Sequence, residues 1–253
     1  MDGNAYRALR DAITSESPAA TAKIVAGEGL GSELVLTYPD RVVGSLGDPL
    51  LDERVTETLR AMLRDGGTKL EEIVGRRIFL EAHLPPPHLV IIGGVHIAIP
   101  LVTFGSTLGF RTTVIDARAQ FLTTERFAHA NQTIESWPDE GLNQLNLHPG
   151  VAAVCLAHDP KFEDPAMQVL LRSDVGYIGA VGSRTTSAER RERLKASGFT
   201  DADLDRIHGP VGLNIGAKTP EEIALSIMAE IVAVRRGREP RSTSVVAPEK
   251  STV

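Results

Sequence analysis

Four short polar segments carry the residue types in this chain that suit ligand binding. In chain order they contain Gly93, Gly94 and His96; Asp116 and Arg118; His158 and Asp159; and Gly182, Ser183 and Arg184. A glycine turn can present backbone N–H groups to a phosphate, and a guanidinium can bind phosphate through two hydrogen bonds. Histidine can add a donor near neutral pH. These residue types therefore indicate an anion-binding site.

Each segment also has a purely structural interpretation. The glycine pair is what a tight turn between a strand and a helix requires, and His96 is placed to cap that helix. Asp116 can accept from a ribose hydroxyl, or it can pair with a nearby arginine. Asp159 precedes a proline and Ser183 precedes a helical pattern, so both are also candidate helix caps. The residues alone leave these alternatives open.

The first two segments belong to a strand–turn–helix–strand pattern. Leu89 to Ile92 has the composition of a buried strand, Ile97 to Leu108 is an apolar stretch of helical length, and Thr112 to Ile115 is a second strand. Asp116 follows the first glycine by 23 positions, as in dinucleotide-binding units. The fingerprint G-x-G-x-x-G/A is incomplete, because Val95 stands where a glycine lets a pyrophosphate approach. The pattern favours a Rossmann-like fold more than it favours NAD.

Alternation of strands and helices over 88–236 predicts an α/β domain, with a Rossmann-like parallel sheet covered by helices. Residues 1–84 predict a small α+β domain, and the prolines at 85–87 predict a linker. The polar segment 237–253 is expected to be a disordered tail. In a parallel sheet ligands bind beyond the carboxyl ends of the strands, so the four polar segments are expected to converge there.

Composition excludes several classes of function. The chain has 253 residues, 42% of them hydrophobic, and a formal net charge of −6, which gives no electrostatic footprint for nucleic acid or an anionic membrane. We find no signal peptide and no apolar run of membrane-spanning length, so a cytoplasmic location is expected. Cys155 is the single cysteine and lies in an apolar run, and the seven histidines lack zinc spacing. Neither a catalytic nucleophile nor a protein-ligated metal is expected.

The chain resembles the XdhC/CoxI family of accessory proteins for molybdenum hydroxylases. Its most specific parts are HDPKFEDPAMQVLLRSDVGYIGAVGSR at 158–184 and RIHGPVGLNIGAKTPEEIALSIMAEIVAVRRG at 206–237. The glycine turn also corresponds, since members often show G-A-G-H-V-[GA] where this chain has Gly93 to Ala98. The resemblance covers most of the chain.

The resemblance implies a small N-terminal domain, a Rossmann-like C-terminal domain and a homodimer. It implies binding of the molybdenum cofactor, a pterin that carries a phosphate, with the four polar segments as the walls of its pocket. Family members hold this cofactor while a cysteine desulfurase supplies sulfur, and then deliver it to the apo-subunit of a molybdenum hydroxylase of the xanthine dehydrogenase or CO dehydrogenase type. Such a protein acts as a chaperone and need not catalyse a reaction.

Two departures from the family pattern leave other functions open. Many members have a cysteine in a G-G-C motif where this chain has Asp48, and a threonine where it has Ala157. An NAD(P)-dependent oxidoreductase is the first alternative, because of the strand–turn–helix–strand pattern that ends in Asp116. A regulatory partner of a hydroxylase that binds no cofactor is the second, because of the missing cysteine and Val95.

Overall fold

The computed structural model describes residues 3–238, which form two compact units. The first unit comprises the chain up to Pro87 with two later segments, Gln144–Val151 and Ser173–Val175. The second comprises His88–Asn143, Ala152–Arg172 and the chain from Gly176 on. Most of the predicted tail, from residue 239, lies outside the described residues. Within residues 3–238 no helix combines the length and apolar character needed to span a membrane.

The first unit packs two helices with an antiparallel sheet in the order β3-β2-β1-β5-β4. Its elements are α1 (Gly3–Thr14), β1 (Ala19–Ala26), β2 (Glu33–Thr37), β3 (Arg41–Ser45), α2 (Pro49–Asp65), β4 (Thr68–Ile73) and β5 (Arg76–His83). The apolar stripe of α2, including Val55 and Leu59, is buried in the same core as Ile24 and Leu80 of the sheet. The sequence does not predict β4, because its residues are mostly polar and exposed at the sheet edge.

The second unit is a six-stranded parallel sheet with helices, which confirms the predicted fold class. Its strands are β6 (His88–Ile92), β7 (Arg111–Asp116), β8 (Gln132–Glu135), β9 (Val151–Cys155), β10 (Tyr177–Ala180) and β11 (Ile207–His208). Its helices are α3 (Ala98–Thr107), α4 (Thr124–Phe127), α5 (Pro138–Leu142), α6 (Pro160–Leu171), α7 (Arg184–Ala196), α8 (Asp201–Leu204) and α9 (Pro220–Arg235), with a 3-10 turn at Ala119–Phe121.

The strand order β11-β10-β9-β6-β7-β8 places a crevice at the centre of this sheet. From β6 the chain passes to β7 on one side, and it later returns to β9 on the other side. Connections that leave in opposite directions open a space beyond the carboxyl ends of two neighbouring strands, where ligands bind in open α/β sheets. Here that space lies beyond β6 and β9.

Asp48 has a structural role that a cysteine would not fill well. Its carboxylate accepts hydrogen bonds from the backbone N–H groups of Leu50, at 2.9 Å, and Leu51, at 3.4 Å, and so caps α2. Pro49 occupies the first helical position, where its missing N–H costs no hydrogen bond. The residue that departs from the family pattern therefore stabilises the start of this helix.

Replacing Asp48 with alanine should lower the free energy of unfolding by about 1 kcal/mol, because the capping hydrogen bonds are lost. Asp48→Asn should retain most of the stability, since asparagine caps equally well. Urea denaturation of both variants tests this, with Glu57→Ala on the exposed face of α2 as control. Wild-type stability in Asp48→Ala would contradict the capping role.

Candidate functional site

The four polar segments lie side by side at the carboxyl edge of the second unit's sheet. They follow β7, β6, β9 and β10, which are consecutive neighbours in the strand order. Backbone hydrogen bonds extend this pairing past the strand ends: Gly93 N–H donates to Ile115, Leu156 N–H to Ile92, and Val181 N–H to Cys155, at 2.8 to 3.0 Å. The structure thus brings the segments together, while their binding of a ligand stays a prediction.

Close backbone approach explains both glycines of the turn after β6. Gly93 has a φ of 106°, in the region that favours glycine, and a Cβ there would lie 3.2 Å from the backbone nitrogen of Ala157. A Cβ on Gly94 would lie 2.8 Å from the carbonyl oxygen of Phe121. The main chain therefore excludes a side chain at Gly94, while at Gly93 the positive φ and the close Ala157 nitrogen together disfavour one.

After this turn, three consecutive backbone N–H groups have no hydrogen-bond acceptor among the described residues. They belong to Val95, His96 and Ile97, directly before α3, whose N-cap position makes no side-chain hydrogen bond. Val95 and Ile97 are half-buried and pack against the apolar core, whereas His96 is exposed. Unpaired N–H groups at a helix N-terminus attract anions, because they add to the positive end of the helix dipole.

Asp116 is committed to contacts within the protein. It is 3% exposed, and its carboxylate accepts from the backbone N–H of Gly94 at 2.8 Å and from the backbone N–H of Arg118 at 3.0 Å. The Arg118 guanidinium adds two hydrogen bonds of 2.9 Å. Burial opposes ionisation of Asp116, but these hydrogen bonds outweigh it and lower the pKa of the carboxyl. Of the alternatives for Asp116, pairing with Arg118 is the one observed.

Aromatic rings hold Arg118 in a defined position. Its guanidinium lies over the ring of Phe121, 4.0 Å from the centroid, and 5.5 Å from that of Phe162. Phe162 in turn stacks on Trp137, with 4.8 Å between the ring centroids. Sequence reasoning missed these rings, since Trp137 and Phe162 lie far from Arg118 in the chain. In the sequence these rings stand out only because aromatic residues are rare, at 4% of the chain.

In the segment after β9, Asp159 has a structural role and His158 is free to contact a ligand. Asp159 caps α6, accepting from the backbone N–H of Lys161 at 3.0 Å, so its helix-cap interpretation is the observed one. His158 is exposed beside it. With Asp159 as its cap and Pro160 as its first residue, α6 begins directly after this segment.

The segment after β10 has the same division of roles. Gly182 has a φ of 135°, and the Ser183 hydroxyl caps α7 by accepting from the backbone N–H of Thr186 at 3.1 Å. Arg184 is the first residue of α7 and is exposed, without an ion pair in the described part of the chain. Its guanidinium is therefore available to an anion at this edge.

Beneath this turn lies a buried ion pair that sequence reasoning did not find. Arg190 and Glu163 have side chains 2% exposed, with 2.6 Å between Arg190 Nη2 and Glu163 Oε1. Arg190 also donates from Nη2 to the carbonyl of Val181 at 2.7 Å. This contact ties the end of β10 to α6 and α7. Both residues resemble ordinary surface charges in the sequence, so only the fold reveals the pair.

Cys155 is not chemically available. It is completely buried in β9, and burial, together with the charge of Glu163, raises the pKa of its thiol to about 12. A thiolate is the reactive form, so this cysteine is suited neither to nucleophilic attack nor to sulfur transfer. Over residues 3–238 no group of three or more His, Cys, Asp or Glu side chains could hold a metal ion.

Comparison with known proteins agrees with this architecture. Residues 89–231, more than half of the chain, match the family model described as the XdhC Rossmann domain. The chain is 32% identical over 159 residues to a probable xanthine dehydrogenase subunit of Bacillus subtilis, covering 63% of this chain and 46% of that protein. It is 27% identical over 143 residues to the molybdenum cofactor insertion chaperone PaoD of Escherichia coli, covering 53% and 44%.

A solved structure shows a similar fold along nearly the whole chain. The crystal structure of a xanthine dehydrogenase from Bacillus halodurans aligns with a TM-score of 0.54 at 20% identity, covering 97% of this chain and 98% of that one. At this identity the likeness concerns the fold alone. The chain spans less than half the length of the two curated relatives above.

Replacing Asp116 with asparagine should lower the free energy of unfolding at pH 7 by about 2 kcal/mol, since hydrogen bonds to a charged carboxylate are lost. The pKa of Asp116 is lowered in the folded protein, so its contribution is present above the unfolded value of about 3.9 and disappears as the pH falls through the folded value. The stabilities of wild type and Asp116→Asn should therefore begin to converge as the pH falls below about 4, and should meet only below the lowered pKa of the folded protein. Chemical denaturation at several pH values measures this.

Glu135→Gln is the matched control, because Glu135 pairs with Asp116 across the sheet but is exposed. It should change stability little at any pH. A pH-independent difference between wild type and Asp116→Asn would show that the ionised carboxylate is not what holds the turn.

Proposed function

The chain belongs to the XdhC family, and we propose that its carboxyl-edge crevice binds the phosphate-bearing pterin of the molybdenum cofactor. The observation that carries this proposal is the row of unpaired N–H groups of Val95, His96 and Ile97. Phosphate has several acceptor oxygens and is bound well by fixed backbone donors at a helix N-terminus. The residues present therefore fit a phosphate-bearing group.

Side chains around these N–H groups supply further contacts. His96, His158 and Arg184 are exposed at the same sheet edge, and the guanidinium can bind a phosphate with two parallel hydrogen bonds. The remaining candidate residues would act indirectly. Asp116 and Arg118 hold the glycine turn, while Asp159 and Ser183 cap the helices that begin at the crevice.

The role supported best is that of a chaperone. The thiol of Cys155 is buried with its pKa raised to about 12, and the described residues contain no group of three or more His, Cys, Asp or Glu side chains that could hold a metal ion. When bound, the cofactor supplies the molybdenum centre that a hydroxylase uses, and this chain's residues bind and shield it. We further propose that a cysteine desulfurase sulfurates the held cofactor directly, that a molybdenum hydroxylase apo-subunit receives it, and that the protein acts as a homodimer.

Two relatives support this role by their names. One is a probable subunit of a xanthine dehydrogenase and the other is a molybdenum cofactor insertion chaperone. The family match covers the sheet that carries the crevice. We extend to this chain the role in those names, and the crevice residues supply the contacts that binding of the cofactor would need.

A bound NAD(P) is disfavoured by the environment of Asp116. In dinucleotide-binding proteins the acid at this position accepts from the ribose hydroxyls. Here each carboxylate oxygen of Asp116 already accepts two hydrogen bonds. Oδ1 accepts both of its bonds from Arg118, and Oδ2 accepts one from Gly94 and one from Arg118. The carbonyl oxygen of Phe121 also lies close to the glycine turn. A fluorescence titration with NADH should accordingly show no saturable response.

Arg184→Ala and His96→Ala should each weaken binding of the molybdenum cofactor, Arg184→Ala by about tenfold or more, because a charged hydrogen-bond donor to phosphate is lost. Equilibrium binding of free cofactor to the purified protein measures this. Arg54→Ala, an exposed arginine of α2 in the first unit, is the control and should bind as wild type does. Absence of binding by wild type, or equal affinity in all variants, would overturn the proposal.

Cys155→Ala should leave sulfuration of the bound cofactor unchanged, because the buried thiol does not carry the sulfur. The measurement is transfer of labelled sulfur from a cysteine desulfurase to cofactor held by wild type or variant. A small loss of stability is expected, since a buried sulfur atom leaves a cavity. Loss of cofactor sulfuration in a folded variant would contradict a direct transfer.

A further inference from the structure

The antiparallel sheet of the first unit has two edge strands, β3 and β4, and they differ in how well they suit further pairing. In β3 the φ of Gly44 is 90°, which interrupts the extended backbone, and its Cα closely approaches the carbonyl of Glu33. In contrast, β4 runs through six residues, Thr68–Ile73, without a glycine or a proline. Sheets protect their edges with such irregularities, and β4 has none of this kind.

Alternate residues of β4 turn their backbone groups toward the open edge. The N–H of Ala82 in β5 donates to the carbonyl of Gly67 at 2.9 Å, so the odd-numbered positions that follow Gly67 form the hydrogen-bonded pairs with β5. The N–H and C=O groups of Thr68, Leu70 and Glu72 therefore point away from β5. A strand that adds to this edge must place its own outward-facing residues opposite these three.

The charges of β4 select one register for pairing with a second copy of the same strand. Antiparallel pairing centred on Lys69 or on Glu71 would place like charges directly opposite each other, which is destabilising. Pairing centred on Leu70 places Lys69 of each copy opposite Glu71 of the other, and the twofold symmetry makes this contact twice. These opposite charges then occupy non-hydrogen-bonded pairs, in which side chains lie closest.

The same register continues an apolar row across the joined sheets. The side chain of Leu70 is 53% exposed and lies opposite Phe79 of β5, which is 37% exposed. With Leu70 on the twofold axis, Phe79 and Leu70 of one copy would continue into Leu70 and Phe79 of the other. Contact between these side chains would remove apolar surface from water, which favours association.

The charged side chains of β4 are available for contacts between copies. Neither Lys69 nor Glu71 has an ion-pair partner within the part of the chain that the structure describes. Lys69 is exposed and Glu71 is half-buried. Pairing between two copies would therefore form these ion pairs without breaking existing ones.

We propose that two copies of this chain associate edge to edge through β4, in the register centred on Leu70, and so join their five-stranded sheets into one. Main-chain hydrogen bonds supply the contact, and the Lys69–Glu71 pairs fix the register. This inference rests on the homodimer proposed above, because it assigns the surface through which that dimer forms. It does not depend on which ligand the crevice binds.

Charge reversal in the full chain tests the register by sedimentation velocity over a range of concentrations. Wild type should be a dimer. Lys69→Glu and Glu71→Lys should each raise the dimer dissociation constant about tenfold or more, because like charges then face each other at both symmetric positions. The double variant Lys69→Glu with Glu71→Lys should recover the wild-type constant, since the opposite charges are restored with their positions exchanged.

Glu57→Lys, at an exposed position of α2, is the matched control and should dimerise as wild type does. Circular dichroism checks that each variant is folded. In wild type, amide exchange at Leu70 and Glu72 should slow as the concentration rises through the dissociation constant.

A monomeric wild type would overturn both this inference and the proposed homodimer. A wild-type dimer would leave the homodimer standing and overturn only the assignment to β4 if both single variants kept its dissociation constant, or if the double variant failed to recover it. Binding of cofactor at the crevice is measured separately, so failure of that proposal is distinguishable from either result.

Discussion

The carboxylate of Asp116 is the contact on which the crevice depends. It lies at the end of β7 and accepts a hydrogen bond from Gly94 in the turn after β6, so it joins two neighbouring strand ends. The same carboxylate takes the backbone N–H and the guanidinium of Arg118. With Gly94 held in this way, the next three N–H groups are left without acceptors among the described residues. An acid that other Rossmann domains use to bind a nucleotide serves here to hold the glycine turn that we propose binds an anion.

A second buried pair secures the opposite side of the crevice. Arg190 links Glu163 of α6 with the carbonyl of Val181 at the end of β10. Breaking a buried pair on one side leaves an uncompensated charge, at a cost of about 3–5 kcal/mol. The crevice is thus bounded by two arginine–carboxylate pairs, one after β7 and one beneath β10. Between them the exposed His96, His158 and Arg184 remain available for a ligand.

Much of the fold could be predicted from the sequence, because its signals are local. Apolar runs such as Leu89–Ile92 and caps such as Asp48-Pro49 and Thr219-Pro220 specify their elements without help from distant residues. The strand β4 could not be predicted, since its polar residues pair at an exposed sheet edge and show no apolar alternation.

The candidate site could be predicted only in outline. Strand ends converge in any parallel sheet, so the position of the four segments followed from the fold class. The roles of individual residues did not follow, because they depend on which side chains the folded backbone brings into contact. Asp116 is saturated by hydrogen bonds, Arg118 rests on Phe121, and Arg190 is paired with Glu163 across 27 positions. None of these contacts has a sequence motif.

The most direct test of the central claim is amide hydrogen exchange of the protein with and without bound molybdenum cofactor. The account predicts that the cofactor slows exchange of the N–H groups of Val95, His96 and Ile97, with smaller effects at the starts of α6 and α7. Protection confined to other parts of the chain, with these three N–H groups exchanging as fast as before, would contradict it.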